Sequence, residues 1–170
     1  MSAKLPSVLE DTNIFFKDES WAGLANEATL PKIAVKMADQ VLAGVAGTIE
    51  RDLGKLEKME AGVVVSDMSA KVIDLIGSQD SRDEVLTFRG AVNADDANRA
   101  VVVKMQGFWK EVEFNAWKPE EMMSSKFAIA LEFFELSVDG VEVIYVDKLA
   151  NIFRVNGKDR NQWKREALAQ

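Results

Sequence analysis

Cysteine and histidine are both absent from the 170 residues. Without thiols there is no disulfide framework, redox couple or cysteine nucleophile, a usage that suits a reducing compartment. Without imidazole the chain lacks the commonest general base and metal ligand at neutral pH. Cations are in the minority, with 21 Lys and Arg against 28 Asp and Glu and a formal charge of −7. That balance argues against an outer surface that grips nucleic acid, which would need clustered positive charge. No basic start precedes an apolar block, and no apolar run approaches the roughly 20 residues of a membrane span. The expectation is a soluble chain with no visible secretion signal and no membrane anchor.

What is present is strand periodicity over a length that suits one domain with its own core. In the stretch 126–160, Phe127, Ile129, Leu131 and Phe133 share one face, and the apolar parity then changes to Phe134, Leu136 and Val138, predicting a bulge. Asp139-Gly140 reads as a two-residue hairpin turn, pairing Val138 with Val141, Leu136 with Val143 and Phe134 with Tyr145. Asn156-Gly157 is a second turn signal, followed by Lys158, Asp159 and Arg160.

Earlier in the chain, residues 1–12 are expected to form an N-terminal arm. Asn13 to Phe16 and Trp21 to Leu24 flank the turn Lys17-Asp18-Glu19-Ser20, which lacks a glycine. Ile33, Val35 and Met37 alternate in a strand opened by Pro31. Between 38 and 48 the pattern dissolves into small residues, either a surface loop or a segment that orders on a neighbouring subunit. Ser66-Asp67 offers an N-cap to a helix with Met68, Val72, Leu75 and Ile76 on one stripe and Gly77 as its stop. Leu86, Phe88 and Val92 mark a strand before the turn 93–96. Val101, Val103 and Met105 mark the next, and beyond Gly107 the apolar set switches to Phe108, Val112 and Phe114. The count of short strands argues for a mainly β (α+β) domain, two packed antiparallel sheets forming a sandwich or barrel with one flanking α-helix.

Candidates for chemistry are thin. Glu111 with Glu113, Asp95 with Asp96 and Glu120 with Glu121 could each approach a cation, but one or two carboxylates without further ligands specify no metal site. Gly44 and Gly47 are followed by no Gly-Lys-Ser/Thr and form no phosphate loop. Trp21, Trp109 and Trp117 lie beside apolar core patterns, with no basic cluster to make them base-stacking platforms. The reading is therefore no catalytic residue, no cofactor and no metal.

Four stretches in order resemble the major tail tube proteins of contractile-tailed bacteriophages and R-type pyocins. They are Asn13-Ile14-Phe15-Phe16 with Trp21-Ala22-Gly23, then Thr29-Leu30-Pro31-Lys32-Ile33, then Gly107-Phe108-Trp109-Lys110-Glu111-Val112. The last is Leu136-Ser137-Val138-Asp139-Gly140 followed by Asn151-Ile152 and Val155-Asn156-Gly157-Lys158-Asp159-Arg160, with Arg165 and Leu168 beyond. Two features depart from the family's pattern: the opening turn without glycine, and the ending Leu168-Ala169-Gln170 in place of Leu-Gly-Leu.

The resemblance implies a structural virion protein whose six copies close a ring, with rings stacking into the inner tube of a contractile tail. The implied partners are further copies of the chain, a contractile sheath around the tube, and baseplate and tail terminator proteins at its ends. DNA would pass through the lumen without specific binding, and assembly would take place in the host bacterial cytoplasm. Within that frame 38–48 becomes an inter-ring loop, with Val41, Leu42, Ala43, Gly44, Val45, Ala46 and Gly47 as stacking residues. Glu50 and Asp52 are lumen candidates. Residues 156–170, with Asn156, Gly157, Asp159, Arg160 and Trp163, form a C-terminal assembly segment too short to be helical alone. Alternatives are the tube of a headless pyocin-like particle, a type VI secretion tube, or a monomeric small-ligand-binding β-barrel.

Overall fold

A computed structural model describes residues 6–68, 70–95 and 97–170. Residues 1–5 of the expected arm, and Asp96 of the candidate cation turn, lie outside the described residues. Strands β1 (Val8–Phe16), β2 (Glu19–Ser20), β3 (Ala25–Thr29), β4 (Val35–Val41), β5 (Thr48–Leu56) and β6 (Met59–Val65) precede a short helix, α1 (Ala70–Ile73). After it come a 3-10 turn (Gln79–Asp83) and strands β7 (Leu86–Asn93), β8 (Asn98–Phe114), β9 (Ser125–Val138), β10 (Val141–Asp147), β11 (Ile152–Val155) and β12 (Lys158–Asp159). The last element is helix α2 (Gln162–Leu168).

The spine is the long antiparallel pair β8–β9, from Val101 opposite Val138 to Phe114 opposite Ser125. Along β9 the second partner changes. Residues 125–131 pair with β6, which carries β3 at its outer edge, while 133–138 pair with β10 and lead on to β11 and β12. The first half of β8 carries β7, β1 and β2 on its other side. One branched sheet thus supplies both layers of a sandwich. The strands at the two ends of the main path, β2 and β12, are two residues each.

Alternating residues fill the space between the layers: Met59, Ala61, Val63 and Val65 from β6, Phe127, Ile129 and Leu131 from β9, and Ile14, Phe16, Leu86, Phe88, Val103 and Met105 from the opposing strands. Trp109 is 1% exposed at the centre, edge-on to Phe16 (5.9 Å) and Phe127 (5.3 Å). Such aromatic pairs add about 0.5–1.5 kcal/mol beyond simple area burial.

The predicted bulge is present, but at Glu132, where Phe133 pairs with Gln106 and Leu131 with Gly107. The extra residue moves the buried set of β9 from Leu131 to Phe134. On β8 the core parity does not switch at Gly107. Trp109 continues the series of Val103 and Met105, and the change comes at a second irregularity between Trp109 and Glu111. Phe114, expected in the core, is exposed.

The turn at Asp139-Gly140 forms with φ of 50° and 78°, and Val138 pairs with Val141 as predicted. A bulge between Glu142 and Ile144 then sets Leu136 opposite Ile144 and Phe134 opposite Val146, not Val143 and Tyr145. Lys17-Asp18 makes the first hairpin turn at φ of 50° and 61° without glycine, so Glu19 and Ser20 are strand and Trp21 to Leu24 a turn.

The expected helix shrinks to one turn at Ala70–Ile73. Its chain continues as turns to Gly77, whose N–H donates to the Trp109 carbonyl (3.0 Å), while buried Ser81 accepts from the Trp109 N–H (3.4 Å). After the single α-turn the bonds tighten to i→i−3, as from Leu75 to the Val72 carbonyl and Ile76 to the Ile73 carbonyl, and the Gly77 N–H leaves the series for β8. Val72 and Leu75 are nevertheless buried, as the stripe required. Residues 8–12 of the expected arm are strand, paired with β7.

Candidate assembly surfaces

β4 and β5 form a separate two-stranded hairpin that leaves the sandwich just before Met59. The stretch 38–48, expected as a loop, is therefore half ladder. Ala38, Asp39, Gln40 and Val41 pair with Arg51, Glu50, Ile49 and Thr48, and the turn occupies only 42–47. Small residues and glycines defeat strand periodicity, yet backbone pairing does not depend on side-chain size. The tip, Val41, Leu42, Ala43, Gly44, Val45, Ala46 and Gly47, carries no charge and is exposed throughout, with Val41 at 80%.

The hairpin register groups side chains that the sequence did not. Residues opposite one another in an antiparallel pair face the same side. Glu50 pairs with Asp39 and Asp52 with Met37, so Asp39, Glu50 and Asp52 share one face with Met37 and Val41. Asp39 was missed in the sequence because its partner strand lies beyond an unpatterned tip.

The C-terminal segment braces the root of this hairpin. Asn156-Gly157 turns at φ of 49° and 75° between β11 and β12. Asp159 accepts from Arg165 Nη2 (2.6 Å) and from the Asn161 N–H (2.9 Å). The Arg165 hydrogen bond holds the Asp159 carboxyl below its ordinary range, against the opposing effect of desolvation. Arg165 also donates to the Asn151 carbonyl (3.0 Å), which fixes α2 to the loop before β11. Lys164 Nζ donates to the Gly54 carbonyl on β5 and to Asn161 Oδ1 (3.2 Å). Lys148 Nζ donates to the Glu57 carbonyl (2.8 Å), and burial pushes that ammonium below its ordinary value.

Helix α2 is consequently turned inside out. Lys164 and Arg165 face the body, while Trp163 (65% exposed) and Leu168 (63%) face outward. A seven-residue helix is unstable by itself, so its charged bonds to the body hold it. Between α2 and the hairpin runs a groove of about 600 Å³ lined by Val35, Leu53, Phe153, Arg160 and Trp163 among others.

The remaining candidates do not converge. Glu111 and Glu113 lie exposed on the last turnless stretch of β8, and Glu121 pairs with Lys118 (3.3 Å) in the following loop. Among the described residues no group of three or more Asp and Glu is placed to hold a metal ion. Trp21 and Trp109 are core, but Trp117 is 71% exposed, contrary to the core reading, because its loop lies past the end of the sandwich.

The molecule is thus a mainly β sandwich whose distinctive features are outward-facing: a hairpin with an uncharged, exposed tip, and a helix with Trp163 and Leu168 exposed, held from behind by the Asp159–Arg165 ion pair and the bond from Lys164 to the Gly54 carbonyl. These are the features of a subunit built for contact with other macromolecules. The chain matches the family Phage tail tube protein FII over residues 6–168 and belongs to it. It is 30% identical over 168 residues to the tail tube protein of Escherichia phage P2, an alignment spanning 96% of this chain and 98% of that one. The family is structural, and the chain is not an enzyme.

Proposed function

We propose that six copies of this chain close a ring and that rings stack through the β4–β5 hairpin into the inner tube of a contractile phage tail. A sheath surrounds it, baseplate and terminator proteins stand at its ends, and DNA passes through it into the host. The observation that carries the stacking role is the hairpin's exposed, chargeless tip on a chain of the tail tube family. Heterologous contacts that close give rings, and those that do not close give filaments.

Burying Val41, Leu42 and Val45 contributes about 1.5–3 kcal/mol each before ordering costs of about 1–2 kcal/mol per residue. The ladder below the tip is already paired, so ordering is confined largely to 42–47. One contact is weak, and six per ring acting together are firm. Replacing 42–47 by a short Gly-Ser linker should leave folded subunits and single rings but no long tubes under the electron microscope. Tubes of normal length would remove the hairpin from the stacking role.

The lumen is acidic or nearly neutral in this reading, with Glu50 and Asp52 in its lining and Asp39 beside them on the same hairpin face. Duplex DNA carries about one charge per 1.7 Å, and a basic wall would hold it by counterion release, whereas a like-charged wall lets it slide. A reconstruction of the assembled tube reads this directly, and a predominantly basic bore would contradict it.

A further inference from the structure

We infer that the loop 115–124 is the seat for the hairpin tip of a second copy of this chain in the adjoining ring, which rests on the stacking reading above. β6 begins at Met59, where the hairpin returns to the sandwich, and ends at Val65 opposite Ser125, the first residue after the loop. Hairpin root and loop therefore stand at opposite ends of one ladder, six residue steps or about 20 Å apart. Two different apolar patches at opposite ends of a subunit repeat head to tail without closing, the geometry that makes a filament.

The loop is ordered by its own bonds. Asn115 Nδ2 donates to the Met122 carbonyl (3.1 Å), its Oδ1 accepts from the Ser124 N–H (3.1 Å), and its own N–H donates to the Ser124 carbonyl (3.1 Å). Closed in this way, the loop displays Trp117, Met122 (83% exposed) and Met123 around a shallow cavity of about 270 Å³ that also touches Ala116 and Pro119. Tryptophan and methionine are enriched in interface cores, and methionine adapts its shape to what it meets. Among the described residues the cavity wall holds one cation, Lys118, and it is paired with Glu121. An uncharged tip enters such a seat without stranding a charge, whereas a charged segment would need a partner there.

Size selects the occupant. One tip on one loop covers far less than the about 1,200 Å² that a stable pair of proteins buries. The contact is thus too small for a free-standing partner and suited to a second copy repeated around a ring.

The test reads methionine oxidation by dilute peroxide, which follows exposure. Met122 should oxidise about tenfold or more slowly in wild-type tubes than in the 42–47 linker variant, whose rings do not stack. In a chain without cysteine, V45C and M122C subunits mixed, assembled and oxidised should give a disulfide-linked dimer that neither gives alone. Met122 oxidising in tubes at the free-subunit rate overturns the seat. So does a protected Met122 in mixed tubes that yield no heterodimer, since another surface then covers the loop. If the linker variant itself forms long tubes, the stacking reading fails, a result distinct from either.

Discussion

Gly107→Ala is expected to destabilise the subunit by about 3 kcal/mol or more, a large fraction of the about 5–15 kcal/mol that holds a domain folded, and to lower tube yield with it. The reason is contact with backbone, which cannot rotate away. A Cβ on Gly107 would lie 2.1 Å from the Ala130 carbonyl oxygen and 2.8 Å from Leu131 Cα. These atoms belong to the β9 segment that bulges at Glu132, where the sheet branches. Relief would require parting β8 from β9 beside Trp109, at the middle of the core. Gly62→Ala is the control, because its Cβ would meet only ordinary contacts with Thr29 at 3.5 Å and beyond. Urea titrations of the two variants should differ widely, with Gly62→Ala within about 1 kcal/mol of the parent. Equal midpoints for both would show that the branch point can open without penalty.

Truncation after Asn156 should leave a folded subunit and cut tube yield by about tenfold or more, since a small loss at each of six contacts multiplies across a ring. The buried core contains no residue beyond Val146, so the sandwich survives the loss. What goes is β12, the Asp159–Arg165 pair, and the bond from Lys164 to the Gly54 carbonyl. The hairpin then keeps its own ladder but loses the brace at its root, and the outward Trp163 and Leu168 vanish from the surface. Faster hydrogen exchange in β5, with unchanged exchange in β6 and β9, would locate the effect at the root. Unchanged tube yield would count against an assembly role for the C-terminal segment.

The sequence by itself determined the class of fold and its local punctuation. Alternation placed Phe127, Ile129 and Leu131 in the core, and Asp139-Gly140 turned where its positive φ values allow. These properties belong to consecutive residues, so neighbouring side chains and turn chemistry suffice to specify them. Tertiary structure alone decided the pairings beyond each bulge, since one extra residue near Val143 re-registers everything after it. It also decided the fate of the Ser66–Gly77 stripe, which is one helical turn followed by tighter turns and is tied to β8 at Gly77 by a bond to the Trp109 carbonyl. The tip of β4–β5 looked structureless because glycine and alanine carry no periodicity, and only the opposite strand reveals the ladder that unites Asp39, Glu50 and Asp52. Likewise nothing in the sequence around Lys164 and Arg165 points to Gly54, Asn151 and Asp159, which the fold places behind them. Which side of a short helix faces inward depends on the carbonyls and carboxylates that distant parts of the chain bring to it, and no local pattern encodes that.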